Sequence, residues 1–130
     1  MKKNPVIHFE MPYQDYNRLE KFYTEAFDWD LMKLDEKMGN YVLATTTDTD
    51  KDRMVTRPGT INGGFFPKRA EGAQHPSVVI EVEDIHEAIK KVTDAGGKVL
   101  GEPVDISGIG KYVSFIDPEG NQASMMQTKK

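Results

Sequence analysis

The sequence contains no cysteine, and this absence excludes several kinds of chemistry. Disulfide bonds, thiolate metal sites and cysteine nucleophiles are not available to this chain. A long apolar run is also missing, since no stretch approaches the roughly 20 residues of a membrane-spanning helix. The lysines near the start are not followed by an apolar segment, so no signal peptide is expected. By default, these absences predict a cytoplasmic protein that does not bind a membrane.

Excess positive charge is missing as well. The sequence has 17 lysines and arginines and 21 aspartates and glutamates, which gives a formal net charge of -4. This balance argues against nucleic acid as a partner, because binding phosphate needs a basic surface. The length of 130 residues, with 38% hydrophobic and 29% charged residues, is typical of one globular domain with a core of its own.

The first half of the chain begins with an alternating pattern and then changes to a helical period. Residues 5–12 alternate like a strand, and Asp15 is placed to cap a helix. Apolar residues then recur at helical spacing, namely Leu19, Phe22, Tyr23, Ala26 and Phe27. Three further strands are predicted at 29–35, 40–46 and 60–66, with a turn between the first two.

The second half repeats this order after a polar linker at 68–75. The stretch "SVVIEVED" predicts a strand, and Asp84 then caps an amphipathic helix, "IHEAIKKVTDAG". The segments "GGKVLGEP", "GKYVSFIDP" and "NQASMMQ" follow as strands. Both halves therefore read β-α-β-β-β. The repeat predicts a single α+β domain of two modules, at about 5–67 and 76–127, whose sheets enclose a cavity.

Two features of the predicted strands bear on function. His8 and Glu10 lie two residues apart on the first strand, so their side chains point to the same face. They are half of a metal site, a base with its orienting group, or two polar residues with a structural role. Gly63 and Gly64 remove side chains from the middle of the fourth strand. That gap opens room for a ligand or allows the modules to pack closely.

These motifs resemble the vicinal oxygen chelate superfamily, the group of glyoxalase I, bleomycin-resistance proteins and extradiol dioxygenases. The resemblance is carried by His8, by Asp15 seven residues later, by "FY" at 22–23, by "FDW" at 27–29 and by "DPEGN" at 117–121. The nearest subgroup is that of small lactoylglutathione-lyase-related proteins. The resemblance implies two βαβββ modules that form half-open barrels, as in the glyoxalase/bleomycin resistance/dihydroxybiphenyl dioxygenase fold, and a homodimer.

The resemblance also implies where a metal would bind. In metal-using members, four strand side chains hold a divalent ion, and here the corresponding positions are His8, a fourth-strand residue such as Asn62, Ser77 and Ser124. His8 alone matches a family ligand, and the neutral amide and hydroxyls supply no negative charge. No metal is therefore predicted at the family site. A divalent Zn, Ni, Mn or Fe ion remains the alternative, held by a rearranged set of His8, Glu10, His75 and Glu81.

The predicted site is a mostly apolar cavity with a few polar groups, which suits a small, partly apolar organic molecule. Alternation along the strands predicts its lining as His8, Glu10, Asn62, Gly64, Phe66, Ser77, Val79, Ser124 and Met126. The first hypothesis is a metal-independent binding protein. The alternatives are a metal-dependent lyase or dioxygenase, and a structural or partner-binding dimer with a vestigial cavity. The sequence leaves open whether any reaction is catalysed, so no catalytic residue is assigned.

Overall fold

The computed structural model describes residues 3–69, 75–106 and 108–129. The chain clusters into two compact units, one of His8–Pro76 and one of Met1–Ile7 with Ser77–Lys130. Residues 70–74 of the predicted linker lie outside the described residues. Within the part of the chain that is described, no helix is long and apolar enough to cross a membrane.

The first module has the predicted order of one strand, one helix and three strands. The elements are β1 Val6–Tyr13, α1 Tyr16–Phe27, β2 Asp30–Lys33, β3 Val42–Thr45 and β4 Asn62–Pro67. The sheet order is β2-β3-β4-β1, with β1 parallel to β4 and the other neighbours antiparallel. A short 3₁₀ helix, Glu36–Met38, occupies the predicted turn between β2 and β3.

The core of the first module lies between α1 and one face of the sheet. Phe65 is 1% exposed and packs with buried residues of β1 and β3, while Leu19 and Tyr23 of α1 pack against this cluster. The helix begins where predicted, because the Asp15 carboxylate accepts the Arg18 N–H at 3.1 Å. The apolar positions of the helix are not all buried. The largest exceptions are Phe22 and Phe27, which are 55% and 58% exposed and pack against each other with ring centroids 6.1 Å apart.

The second module repeats this order of elements, but the two strands that follow its helix are longer than those that follow α1. The elements are β5 Ser77–Glu81, α2 Ile85–Asp94, β6 Lys98–Ile106, β7 Gly110–Ile116 and β8 Gln122–Thr128. The sheet order is β5-β8-β7-β6, with β5 parallel to β8. The predicted α+β fold of two βαβββ modules, the half-open barrel class, is confirmed.

The strand boundaries differ from the predicted ones most clearly in β2, β3 and β6. β2 and β3 are shorter than the predicted strands at 29–35 and 40–46. β6 continues to Ile106, beyond the predicted end at Pro103. It does so through a register shift between Leu100 and Val104, where Gly101 has a φ of 86°. Glycine adopts this left-handed conformation without steric cost, so an irregular strand continues where the sequence indicated a stop.

The core of the second module also lies on one face of its sheet. Ile85 of α2 is fully buried and packs with Val113 and Met125. Ser124 is 2% exposed but alternates with Met125 along β8, so its side chain points to the opposite face. In the first module His8 and Glu10 alternate in the same way with core residues of β1. The predicted site residues on these strands therefore lie on the face away from each helix.

Candidate functional site

The first module holds a hydrogen-bonded chain of three side chains, and Tyr41 is its centre. The Tyr41 hydroxyl donates to Glu10 Oε2 at 2.9 Å, and the same oxygen lies 3.0 Å from His8 Nε2. The single hydroxyl proton is used toward Glu10, so His8 Nε2 is the donor to the Tyr41 oxygen. In this tautomer His8 Nδ1 carries no proton and is a hydrogen-bond acceptor. Sequence analysis predicted His8 and Glu10 on one face but not the residue that joins them.

Burial keeps the His8 imidazole uncharged. Glu10 is 7% exposed, and the His8 ring stacks beside Phe9 with centroids 6.4 Å apart. Desolvation by burial lowers the pKa of His8 from 6.5 to about 4. The imidazole is therefore neutral at pH 7, because burial disfavours its charged form. A neutral imidazole agrees with the tautomer that the hydrogen bonds assign.

Gly64 provides the space that Tyr41 occupies. It lies opposite Glu10 on β1 and Leu43 on β3, and a Cβ built on it would overlap the Tyr41 hydroxyl at under 3.0 Å, closer than real Cβ contacts. The neighbouring Gly63 has the same relation to the Phe9 ring. Both glycines thus allow a close approach of an aromatic side chain from their own module. This finding accounts for the glycine pair without a ligand.

Asn62 lies beside His8 in the sheet, but its side chain is committed to the backbone. Its Oδ1 accepts the backbone N–H groups of Thr46 at 2.7 Å and Thr47 at 3.2 Å. These bonds hold the chain as it leaves β3. Phe66, the last predicted site residue of this module, is partly buried on β4 next to Pro12 in the register.

The second module carries a cluster of three hydroxyl groups. Ser124 Oγ lies 2.7 Å from Tyr112 Oη and 2.9 Å from Ser114 Oγ. Ser124 is buried, and these contacts compensate the loss of water. The remaining predicted residues of this module are Ser77 and Val79 on β5, with Val79 paired to Ser124, and Met126 on β8, paired to Glu81.

The internal repeat identifies which β4 residue corresponds to Ser124. Glu10 lies five residues before Asp15, and Val79 lies five residues before Asp84. Glu10 pairs with Gly64 on β4, as Val79 pairs with Ser124 on β8. Gly64 therefore occupies the position equivalent to Ser124, two residues after Asn62.

The residues at the family's ligand positions do not fit a divalent ion. His8 Nε2 donates to Tyr41, Gly64 offers no side chain, Ser77 on β5 offers a neutral hydroxyl, and the Ser124 hydroxyl is engaged by two other hydroxyls. Such a set supplies no negative charge and no free imidazole lone pair on Nε2. Across residues 3–69, 75–106 and 108–129, no three His, Asp or Glu side chains are grouped to hold a metal. The rearranged set that includes His75 and Glu81 is therefore not assembled here.

Sequence reasoning missed three residues of these clusters, Tyr41, Tyr112 and Ser114. The sequence pattern of β7 indicates Tyr112 and Ser114, because they alternate with the core residue Val113 and lie opposite Met126 and Ser124. The sequence pattern around Tyr41 is less informative. It precedes β3 by one residue, and its contact with Gly64 depends on the register between β3 and β4.

Comparison with known proteins places the chain in a family. Residues 6–125 match the family model described as the Glyoxalase/Bleomycin resistance protein/Dioxygenase superfamily. The chain belongs to this superfamily. The resemblance inferred from the motifs is thereby confirmed.

Curated relatives and solved structures agree with this membership. The chain is 25% identical over 132 residues to a probable lactoylglutathione lyase of Vibrio cholerae, and 27% identical to one of Vibrio parahaemolyticus. Each match covers 100% of this chain and 95% of the relative. A methylmalonyl-CoA epimerase of Streptomyces coelicolor, in complex with 2-nitronate-propionyl-CoA, superposes with a TM-score of 0.69 over 96% of this chain and 97% of its own. A hypothetical protein of Bacillus halodurans also gives 0.69, over 99% and 97%. Both structures are 16% identical to this chain, so they show the shared fold alone.

Proposed function

We propose that this protein binds a small, partly apolar organic molecule on the sheet face that carries His8 and Glu10, and that it does so without the metal of its family. The observation that supports this most directly is the Tyr41 hydroxyl, which engages both His8 Nε2 and Glu10 Oε2. The polar groups of the face are thus already ordered by the protein. Leu43 and Phe66 add apolar surface to the same face.

The state of His8 defines what such a ligand offers. Its Nδ1 is an acceptor in the assigned tautomer, so a ligand with a hydroxyl, amide or acid proton is favoured over one without a donor. The names of the relatives supply concrete probes, namely S-lactoylglutathione and methylmalonyl-CoA. Bleomycin and phenylpyruvate, a small 2-oxo acid with an apolar ring, complete a panel of four chemical classes. The second-module residues Ser77, Val79, Ser124 and Met126 remain predicted ligand contacts.

A thermal-shift screen in the presence of EDTA tests this function. A ligand at ten times its Kd stabilises the folded protein by about 1.4 kcal/mol. For a domain of this length, that corresponds to a rise in Tm of roughly 4 °C. His8→Ala should abolish the shift, whereas His86→Ala, which removes an exposed histidine on α2, should retain it. A panel without any stabilising member, or an undiminished shift in His8→Ala, would contradict the proposal.

A metal-dependent lyase is the second candidate, because relatives matched over the whole chain are named probable lactoylglutathione lyases. Metal analysis of protein purified without a chelating tag separates the two functions. Stoichiometric Zn, Ni, Mn or Fe that disappears in His8→Ala would favour the lyase and overturn metal-free binding.

We also propose that the protein is a homodimer, as the family resemblance implies. Sedimentation equilibrium measures this directly, with 14.7 kDa expected for a single chain. A dimer that is stabilised by none of the four probes would instead support a structural or partner-binding role.

A further inference from the structure

We infer that Tyr41 keeps a divalent cation out of the first module, because its hydroxyl, seated over Gly64, engages both His8, which stands at a family ligand position, and the neighbouring Glu10. This inference deepens the proposed metal-free function and rests on it.

A hydroxyl and a cation compete for the same two atoms in the first module. His8 Nε2 and Glu10 Oε2 lie 3.0 Å and 2.9 Å from one Tyr41 oxygen. A transition metal would bind an imidazole nitrogen and a carboxylate oxygen at about 2.0–2.2 Å, and the nitrogen must be unprotonated. In this structure Nε2 donates its proton to Tyr41. The tyrosine therefore engages both atoms that a cation at this point would need.

A side chain at position 64 and the tyrosine at position 41 cannot occupy the same space. Gly64 is the first-module equivalent of Ser124, because each pairs with the strand residue five before the helix-capping aspartate. A Cβ at Gly64 would overlap the Tyr41 hydroxyl. A side chain at the second ligand position and the tyrosine contact are thus mutually exclusive in this fold.

The tyrosine also orders the two side chains that it contacts. It satisfies the buried Glu10 carboxyl group and holds His8 in the tautomer with Nε2 protonated. His8 Nδ1 then accepts a proton-bearing group of a ligand, a role that a metal-bound histidine with a protonated Nδ1 does not have. Tyr41 is accordingly a positioning residue for His8.

Zinc binding to EDTA-treated, dialysed protein tests the exclusion. Isothermal titration calorimetry with Zn²⁺ should show at least ten-fold tighter binding in Tyr41→Ala than in the wild type. Adding His8→Ala to Tyr41→Ala should remove the gain. Tyr16→Ala, which deletes a tyrosine on α1, is the matched control and should bind like the wild type. Wild-type affinity equal to that of Tyr41→Ala, with both lost in His8→Ala, would overturn the inference.

The nitrogen-15 chemical shifts of His8 give a second readout that needs neither metal nor ligand. The wild type should show a protonated Nε2 and an unprotonated Nδ1, and Tyr41→Phe should change this pattern while it keeps the ring. Gly64→Ala should produce the same change. Gly63→Ala, whose Cβ meets Phe9, controls for a generally disturbed strand and should leave the tautomer as it is. An unchanged pattern in Tyr41→Phe would refute the positioning role.

The two sets of experiments fail independently. The ligand screen reports on the proposed function, while the zinc titration and the His8 spectrum are recorded on the ligand-free protein. A failed screen with the expected tautomer and zinc results would leave the role of Tyr41 intact.

Discussion

Replacing Gly64 by alanine isolates the contact on which the candidate site depends. The new Cβ would overlap the Tyr41 hydroxyl, so the ring must move away from His8 and Glu10. Two hydrogen bonds at about 1 kcal/mol each are then lost. Overpacking adds about 1 kcal/mol or more. Alanine lowers the conformational entropy of the unfolded chain relative to glycine, which offsets about 0.5–1 kcal/mol of this loss. The net expected loss in the free energy of unfolding is about 2 kcal/mol.

The same substitution should behave differently when Tyr41 is absent. In a Tyr41→Ala background the overlap is gone, and Gly64 has no left-handed φ that alanine would strain. Gly64→Ala should then be neutral or stabilising by about 0.5–1 kcal/mol. The double-mutant cycle therefore predicts a coupling free energy of about 2–3 kcal/mol between these two positions.

Urea unfolding followed by tryptophan fluorescence measures all four proteins of this cycle. The only tryptophan, Trp29, stacks on Tyr23 at 4.7 Å in the same module, so its emission reports on the relevant core. An equal cost of Gly64→Ala in both backgrounds would show that Tyr41 does not fill the space at position 64. That result would refute the argument from geometry to function.

Three further predictions concern single groups. Because the pKa of His8 falls from 6.5 unfolded to about 4 folded, the unfolded chain binds more protons between these values, and stability should drop as pH is lowered from 6.5 to 4. The expected loss in the free energy of unfolding is about 3 kcal/mol. Urea unfolding at a series of pH values measures it, and a His8→Gln variant with the same pH dependence as the wild type would contradict the prediction. Asp84→Ala removes the acceptor for two N–H groups at 3.0 and 3.2 Å, so Tm should indicate a loss of about 1 kcal/mol, with Asp84→Asn nearly neutral. Phe65→Ala should cost about 3–5 kcal/mol in urea unfolding, and a cost under 1 kcal/mol would show that this core is not packed as described.

The order of elements was predictable from sequence because each signal is local. Asp15 and Asp84 mark the helix starts within one turn, and the structure shows both carboxylates accepting backbone N–H groups there. Strand alternation placed His8 and Glu10 on one face for the same reason. Such patterns require no knowledge of partners distant in the chain.

The parts that were not predicted depend on contacts between distant residues. Tyr41 and Gly64 meet only because β3 and β4 pair in one register, across a connection whose length does not fix that register. The burial of α1 shows the same limit. Spacing alone did not separate Tyr23, which packs on the core, from Phe22 and Phe27, which do not.

The division of each sheet into two faces explains how the fold persists while the ligand positions change. The core residues, such as Phe65 and Met125, lie on the helix side and account for several kcal/mol each. His8, Gly64 and Ser124 lie on the other side, where the side chains of His8 and Ser124 contribute hydrogen bonds of about 1 kcal/mol each. Replacing a ligand there leaves the helix-side packing untouched, provided that each buried polar group finds a new partner. Tyr41 is that partner for His8 and Glu10, so the chemistry of this chain has to be tested at Tyr41 and cannot be taken over from the family.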